Sequence, residues 1–351
     1  MPGPVKTVLV GCGWVGQNRH LPVMRKSGRF DVIGVIDRRG ERAADVATRL
    51  QLKHHAQATR LADVPFIGEA DAIVIATAPM AHHDIATQAL ALGKHVLTEK
   101  PFTMTLAEGE DLVAAAQAAQ RQLAIVHNFQ FARSTRRLMA DIASDRLGTI
   151  TGIDAVQFGN PARRLPEWYE QLPLGLFYDE SPHLLYLMRA VAGELFLRSA
   201  MSLPGSNGAR TPARIEAWFD APLGCPIRLG CNFESPVSEW YLMVCGRKAM
   251  GIVDVFRDIY IRLPNDGAHD TRSVLRTSIS ATLQHWLQHV TSGIPHLTGN
   301  LFYGNDEVFG RFASAIEGDT QKLEPIGAQR ALEILTLQHA IIDACETRVP
   351  A

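Results

Sequence analysis

Three shortages narrow the reading of this 351-residue chain before any motif is considered. There is no surplus of one charge: 35 Lys and Arg stand against 36 Asp and Glu, a formal net charge of −1. Gripping nucleic acid requires cations to neutralise phosphates, so a nucleic-acid partner is not expected. Paired cysteines are missing too. Cys12, Cys225, Cys231, Cys245 and Cys345 are odd in number and scattered, and none forms a CxxC, so neither a disulfide framework nor a structural zinc site is indicated. No apolar run approaches the ~20 residues that cross a bilayer, so no membrane partner is expected. A strand pattern begins almost at once, at Val5–Val10, without a charged leader, and the expected location is cytoplasmic.

What the chain does contain is globular. Hydrophobic residues make up 46% and charged residues 20%, enough to fill two cores. In the first third, short apolar runs (Thr7–Val10, Val32–Ile36, Ala72–Ala76, His95–Thr98, Leu123–His127) alternate with helix-like stretches near His20–Ser27, Glu41–Leu50, His83–Leu92 and Leu106–Arg121. Strands apolar on both sides and separated by helices imply a doubly wound parallel sheet. Beyond a helix-like piece, Thr135–Arg146, come longer β-rich runs: Ile150–Phe158, Arg214–Phe219, Ile227–Phe233, Tyr241–Val244, Gly251–Phe256 and Ile259–Leu263. Their partial alternation predicts an antiparallel sheet with one covered face. Helices are expected at Leu184–Val191, Ser278–Thr291 and Ala328–Thr347. The fold class is therefore α/β, with an N-terminal domain over residues 1–124 and a C-terminal α+β domain over 125–351.

Directly after the first strand stands Gly11-Cys12-Gly13-Trp14-Val15-Gly16, a GxGxxG. In a dinucleotide site the first glycine permits the tight turn, the second lets backbone approach the pyrophosphate, and the third lets helix and strand pack closely. The phosphates then rest on N–H groups at the helix N-terminus. Asp37 closes the second strand 21 residues beyond Gly16, where an acid accepts hydrogen bonds from the adenosine ribose. A carboxylate there repels a 2′-phosphate and favours NAD, whereas the adjacent Arg38 and Arg39 could pair with that phosphate in NADP. The N-terminal domain is thus expected to be of Rossmann type.

A second informative stretch is Gly93-Lys94-His95-Val96-Leu97-Thr98-Glu99-Lys100-Pro101. Glu99 and Lys100 fall at the C-terminal end of a parallel strand, where open α/β sheets place ligands. With these residues, Ala76-Thr77-Ala78-Pro79 with His82, Asp179 with His183, and the closing helix, the chain resembles the Gfo/Idh/MocA oxidoreductase family over almost its whole length. The resemblance implies a Rossmann domain, a second domain with a large open-faced, mostly antiparallel sheet often used for oligomerisation, and hydride transfer between NAD(P) and a carbinol carbon of a sugar, cyclitol or derivative. It implies that Lys100, Asp179 and His183 are the active-site lysine, aspartate and histidine. It also places Thr77, Pro79, His82 and Glu99 beside the cofactor, with Trp14 and Val15 in the glycine turn. The chain departs from the family at Gln130, where an arginine is common two residues after the match to Asn128, and at Tyr186, where an aspartate often stands. It also lacks the glycine usual between Asp179 and His183.

Oxidising an alcohol removes a hydride from carbon and a proton from oxygen. Lys100 and His183 are the two candidates for the proton, His183 having the ordinary pKa closer to neutrality. On one helix Asp179 and His183 would share a face at i,i+4, but Ser181-Pro182 also reads as a helix start that would leave Asp179 outside. The loop Arg163-Arg164-Leu165-Pro166-Glu167-Trp168-Tyr169 is either a substrate lip, with Trp168 or Tyr169 stacking on a sugar face and an arginine binding an anion, or a solvated loop. The pairs His54-His55, His82-His83 and His285 with His289 lack a third ligand placed by any motif, so no metal is expected. Other readings are a reductase of another small C=O or C=N compound and a non-catalytic NAD(P)-binding regulator. A homodimer or homotetramer through the C-terminal sheet is expected, because a bare sheet face needs cover.

Overall fold

The computed structural model describes residues 3–299 and 301–346. The chain forms two compact units: residues up to Asn128 with Gly304–Thr336, and Phe129–Tyr303 with the chain from Leu337 onward. The sequence had placed the division at 124/125 with everything later in one domain. The return of 304–336 to the first unit rests on contacts with no local signature. Arg29 donates to the carbonyl of Gly310 at 2.8 Å and to Ser314 Oγ at 3.0 Å, and the rings of Phe30 and Phe309 meet edge to face.

In the first unit six parallel strands, β1 (Val5–Val10), β2 (Phe30–Asp37), β3 (His54–Gln57), β4 (Ala72–Ile75), β5 (His95–Thr98) and β6 (Leu123–Ile125), run in the order β3-β2-β1-β4-β5-β6. That order reverses direction between β1 and β4, the switch point where such sheets bind ligands. Helices α1 (Leu21–Ser27), α2 (Gly40–Leu50), α3 (His82–Ala91) and α4 (Leu106–Ala119) link the strands. α4 starts where a Thr105–Glu108 capping box satisfies two orphan N–H groups. Strand β3 escaped sequence reading because it is an edge strand, polar and alternately exposed.

The second unit opens with α5 (Arg133–Ala143) and contains seven strands: β7 (Ile150–Phe158), β8 (Phe196–Leu203), β9 (Arg214–Asp220), β10 (Ile227–Asn232), β11 (Glu239–Gly246), β12 (Ala249–Asp254) and β13 (Ile259–Pro264). Their order is β13-β12-β11-β7-β10-β9-β8, antiparallel except for the β7–β10 pair. One face is closed: Ile153, Ala155, Ala217, Leu229, Leu242 and Val244 are buried, whereas Asp154, Glu216, Arg228 and Met243 on the alternate positions are not. α6 (Leu176–Ala192) packs on β7 and β11, and α5 packs on β12 and β13. α7 (Thr271–Leu297) lies against β13, while α8 (Asn305–Ile316) and the start of α9 (Ala328–Glu346) belong to the first unit. Like β3, the unforeseen β8 is an edge strand, with a single buried residue. Thr347, expected to end α9, lies outside the described residues.

α6 and α7 each contain a proline. A proline inside a helix removes the donor to the carbonyl four residues earlier. Both freed carbonyls find side-chain donors: Gln338 Nε2 serves Tyr178 O at 2.6 Å, and Arg133 Nη1 serves Thr291 O at 3.1 Å. Pro182 therefore sits within α6 instead of starting it.

Candidate active site

The first unit brings its sequence-marked residues to the C-terminal ends of the parallel strands. After β1, the three glycines differ in their surroundings. Gly11 has φ +98°, and a Cβ on it would lie 2.5 Å from the carbonyl oxygen of Ala76. A Cβ on Gly16 would lie 2.4 Å from Gly11 O. A Cβ on Gly13 would meet nothing within 4 Å, so that glycine opens the turn outward instead of serving internal packing. Trp14 is exposed, with the Arg19 guanidinium 5.0 Å from its ring centroid, and Val15 is half-buried.

At the end of β2 the buried Asp37 carboxylate is held by main chain. Cys12 N–H donates to Oδ2 and Arg39 N–H to Oδ1, each at 2.8 Å. Arg42 approaches it at 3.8 Å, while Arg38 is exposed. An oriented acid beside an open glycine turn fits the adenosine end of a dinucleotide. Burial and the Asp37 charge push the Cys12 thiol up to about 12, so it is no nucleophile.

After β4, Thr77 is half-buried and Pro79 and His82 are buried. The His82 ring nitrogens face two carbonyls, Pro101 O at 2.8 Å and Thr77 O at 3.3 Å. Burial lowers its pKa against the pull of those carbonyls, keeping it neutral near pH 7. After β5, Glu99 accepts the Lys100 N–H at 3.1 Å through Oε2 and lies 2.9 Å from His20 Nε2 through Oε1. Burial works to raise the Glu99 pKa, but the hydrogen bond and charge of His20, with the charge of Lys100, bring it below the ordinary value. The Lys100–Pro101 peptide is cis. His20, four residues past Gly16 in a single wide helical turn (Gly16–His20), went unmarked in the sequence, which carries nothing to link it to Glu99. Asn128, just beyond β6, is buried.

The second unit gathers a different set. Asp179 and His183 share α6, one turn apart, which settles the choice left open by Ser181-Pro182. His183 Nδ1 lies 2.8 Å from Tyr186 Oη, and that oxygen accepts the N–H of Phe129 at 3.1 Å. The imidazole is walled by Phe129 (ring centroids 4.8 Å) and Trp240 (5.3 Å). Gln130 is half-buried in the adjoining turn Phe129–Phe131. Next to Asp179 on α6, buried Glu180 receives hydrogen bonds from Gln157 of β7 and from Arg163. Arg163 thus ties its loop to α6, Arg164 is exposed, and Trp168 and Tyr169 are half-buried. Glu180, Gln157 and Trp240 had no motif to flag them. Among the described residues no cluster of three or more His, Cys, Asp or Glu is poised for a metal, and no helix is long and apolar enough to cross a membrane.

A six-stranded parallel sheet with a GxGxxG turn, a fixed acid at the end of β2 and a Glu-Lys after β5 defines an NAD-binding oxidoreductase domain. Residues 5–127 match the Gfo/Idh/MocA description "Oxidoreductase family, NAD-binding Rossmann fold". It is 29% identical to the uncharacterized oxidoreductase YdgJ of Escherichia coli over 296 residues, covering 79% of this chain and 80% of that one. It is 32% identical to UDP-N-acetylglucosamine 3-dehydrogenase of Acidithiobacillus ferrooxidans over 123 residues, 35% of this chain and 37% of that one. In these alignments the chain spans about half or less of the length of several curated relatives. The fold is similar to that of the WlbA dehydrogenase of Bordetella pertussis, a structure in complex with NADH and UDP-GlcNAcA, with a TM-score of 0.79, 17% identity and coverage of 99% and 97%.

Proposed function

We propose that the protein interconverts an alcohol and a carbonyl on a sugar, cyclitol or sugar-derived substrate, in the cytoplasm, with NAD preferred over NADP. The observation that carries the reading is the position of Lys100. It follows β5 on the same strand-end edge as the open glycine turn and Asp37, and its backbone is bound to the half-buried Glu99. The nicotinamide cofactor supplies or accepts the hydride. Gly11, Gly13 and Gly16 with the Trp14–Val15 turn hold its phosphates, and Asp37 takes the adenosine ribose and disfavours a 2′-phosphate.

Lys100 of the first unit and His183 of the second serve the same reaction, the ammonium polarising the reacting oxygen and the imidazole handling the proton. Tyr186 Oη accepts from Phe129 and lies 2.8 Å from His183 Nδ1, so the phenol holds the ring by Nδ1 and Nε2 is the nitrogen that exchanges the proton. Asp179, one turn before His183, orients the substrate hydroxyl. Glu180 and Arg163 fix the loop bearing Arg164, Trp168 and Tyr169, which with Asn128 and Gln130 shape the substrate side. The open face of the second sheet supports assembly as a homodimer or homotetramer.

The test is an initial-rate screen with NAD+ and NADP+ against UDP-sugars, polyols and cyclitols, and with the reduced cofactors against keto sugars. Turnover of at least one sugar class, faster with NAD, is expected. Tight cofactor binding without turnover across the panel overturns the reading.

A further inference from the structure

α7 is turned inside out. Its face toward β13 is polar, and the side chains there bind backbone. Gln284 accepts the Arg262 N–H at 2.9 Å and returns a hydrogen bond to Arg262 O at 3.0 Å. Gln288 accepts the Tyr260 N–H at 2.9 Å and donates to Tyr260 O. Buried Ser292 donates to Asp258 O at 3.1 Å. Two glutamine amides thereby stand in for a neighbouring strand, so the free edge of β13 is closed to strand addition. The opposite face carries Leu275, Ile279, Leu283, Trp286, Val290 and Ile294, each between 44% and 63% exposed. A 27-residue helix with polar residues inward and a continuous apolar stripe outward is built to be covered.

We infer that the cover is α7 of a second copy, packed antiparallel about a two-fold axis. The stripe is palindromic: its spacings of 4, 4, 3, 4 and 4 residues read the same from either end. Antiparallel pairing sets Leu275 against Ile294, Ile279 against Val290 and Leu283 against Trp286 of the other copy, the self-complementarity that an isologous interface requires. Charge selects the same direction. α7 contains no Asp or Glu, and its two arginines, Arg272 and Arg276, lie in the first turns. Parallel packing would crowd four guanidiniums together. Antiparallel packing separates them and sets each pair beside the carbonyl-rich C-terminus of the other helix. With Leu287 and Leu297 alongside, the stripe offers on the order of 800 Å² per copy, the share each partner gives to a standard interface. This contact is additional to any made by the open sheet face and does not depend on the reaction.

Light scattering after size exclusion should give a mass of at least twice 38.5 kDa for the wild type. The double variant Leu283→Asp/Trp286→Asp should halve that mass with an unchanged circular dichroism spectrum. A second measurement survives a folding failure of that variant. On a Cys225→Ser/Cys245→Ser background, Leu275→Cys mixed with Ile294→Cys should be joined by a short bis-maleimide, and Leu275→Cys alone should not. A monomeric wild type, an unchanged mass in the folded double variant, or cross-linking of Leu275→Cys to itself overturns the inference. So does α7-dependent co-sedimentation of a monomer with anionic phosphatidylserine vesicles, which would make the stripe a lipid-binding surface.

Discussion

The polar groups of the two candidate sites are secured by different means. In the first, main chain does most of the holding: Asp37 by the N–H groups of Cys12 and Arg39, His82 by the carbonyls of Pro101 and Thr77, and Glu99 in part by the N–H of Lys100. On α6 of the second, side chains hold side chains or a stray carbonyl: Tyr186 on His183, Gln157 and Arg163 on Glu180, and Gln338 on the carbonyl freed by Pro182. Main-chain holding fixes a residue at a set distance along the chain from a turn or strand end, so it leaves a spacing that can be read. Side-chain holding links positions scattered through the sequence and leaves none.

The largest effect expected from this contrast is in the first unit. Lys100→Ala should lower kcat/KM by about 10²–10⁴-fold while cofactor affinity, measured by fluorescence titration, changes only a few-fold. Retention of normal turnover would detach Lys100 from the chemistry and dissolve its tie to the strand-end edge.

The glycine turn separates structural from functional main chain. Gly11→Ala forces a Cβ against Ala76 O at a φ of +98° and should cost about 2–3 kcal/mol in a denaturant melt. Gly13→Ala meets nothing in the protein, so stability should hold while cofactor affinity falls about tenfold. Equal destabilisation by both would mean that Gly13 is spared for packing and not for a ligand.

For the side-chain-held site, Tyr186→Phe removes the phenol that fixes His183 and also leaves the Phe129 N–H without that acceptor. A fall of about tenfold in kcat is expected, with a displaced pH profile and little change in KM. An unaltered pH profile would show that Tyr186 only packs.

The smallest effect is on stability. Burial pushes His127 down to about 3, against the pull of Glu99. The unfolded imidazole titrates near ~6.5, so between these values the unfolded chain takes up a proton that the folded chain refuses. Stability contributed by neutral His127 is complete above the unfolded pKa and is lost as pH falls from about 6.5 toward 3. His127→Gln should flatten the decline of Tm on going from about pH 7 to pH 5. A decline as steep as in the wild type would assign the acid sensitivity to other groups.

The same contrast explains how much was legible beforehand. Gly11, Gly13, Gly16, Asp37 and Lys100 announced themselves because tight turns and strand ends restrict both residue type and interval. Runs buried on both faces gave β1, β2, β4 and β5, while the half-polar edge strands β3 and β8 passed as loops. The start of α6 was missed because Pro182 argues for a helix boundary, and only Gln338, 156 residues later, makes it tolerable inside. His20 and Glu180 were invisible for a related reason: each acquires its role from a partner chosen by the fold. α8, folded back against Phe30 and Arg29, shows the same dependence at the scale of a whole helix.

The central claim is that Lys100 and His183, carried by different units, act in one hydride-transfer reaction. Turnover of Lys100→Ala, His183→Ala and the double variant on a common sugar substrate tests it most directly. Groups that act together are non-additive, so the double variant should be no more than about tenfold slower than the slower single variant. Losses that multiply in full, or either single variant working at the wild-type rate, would contradict the account.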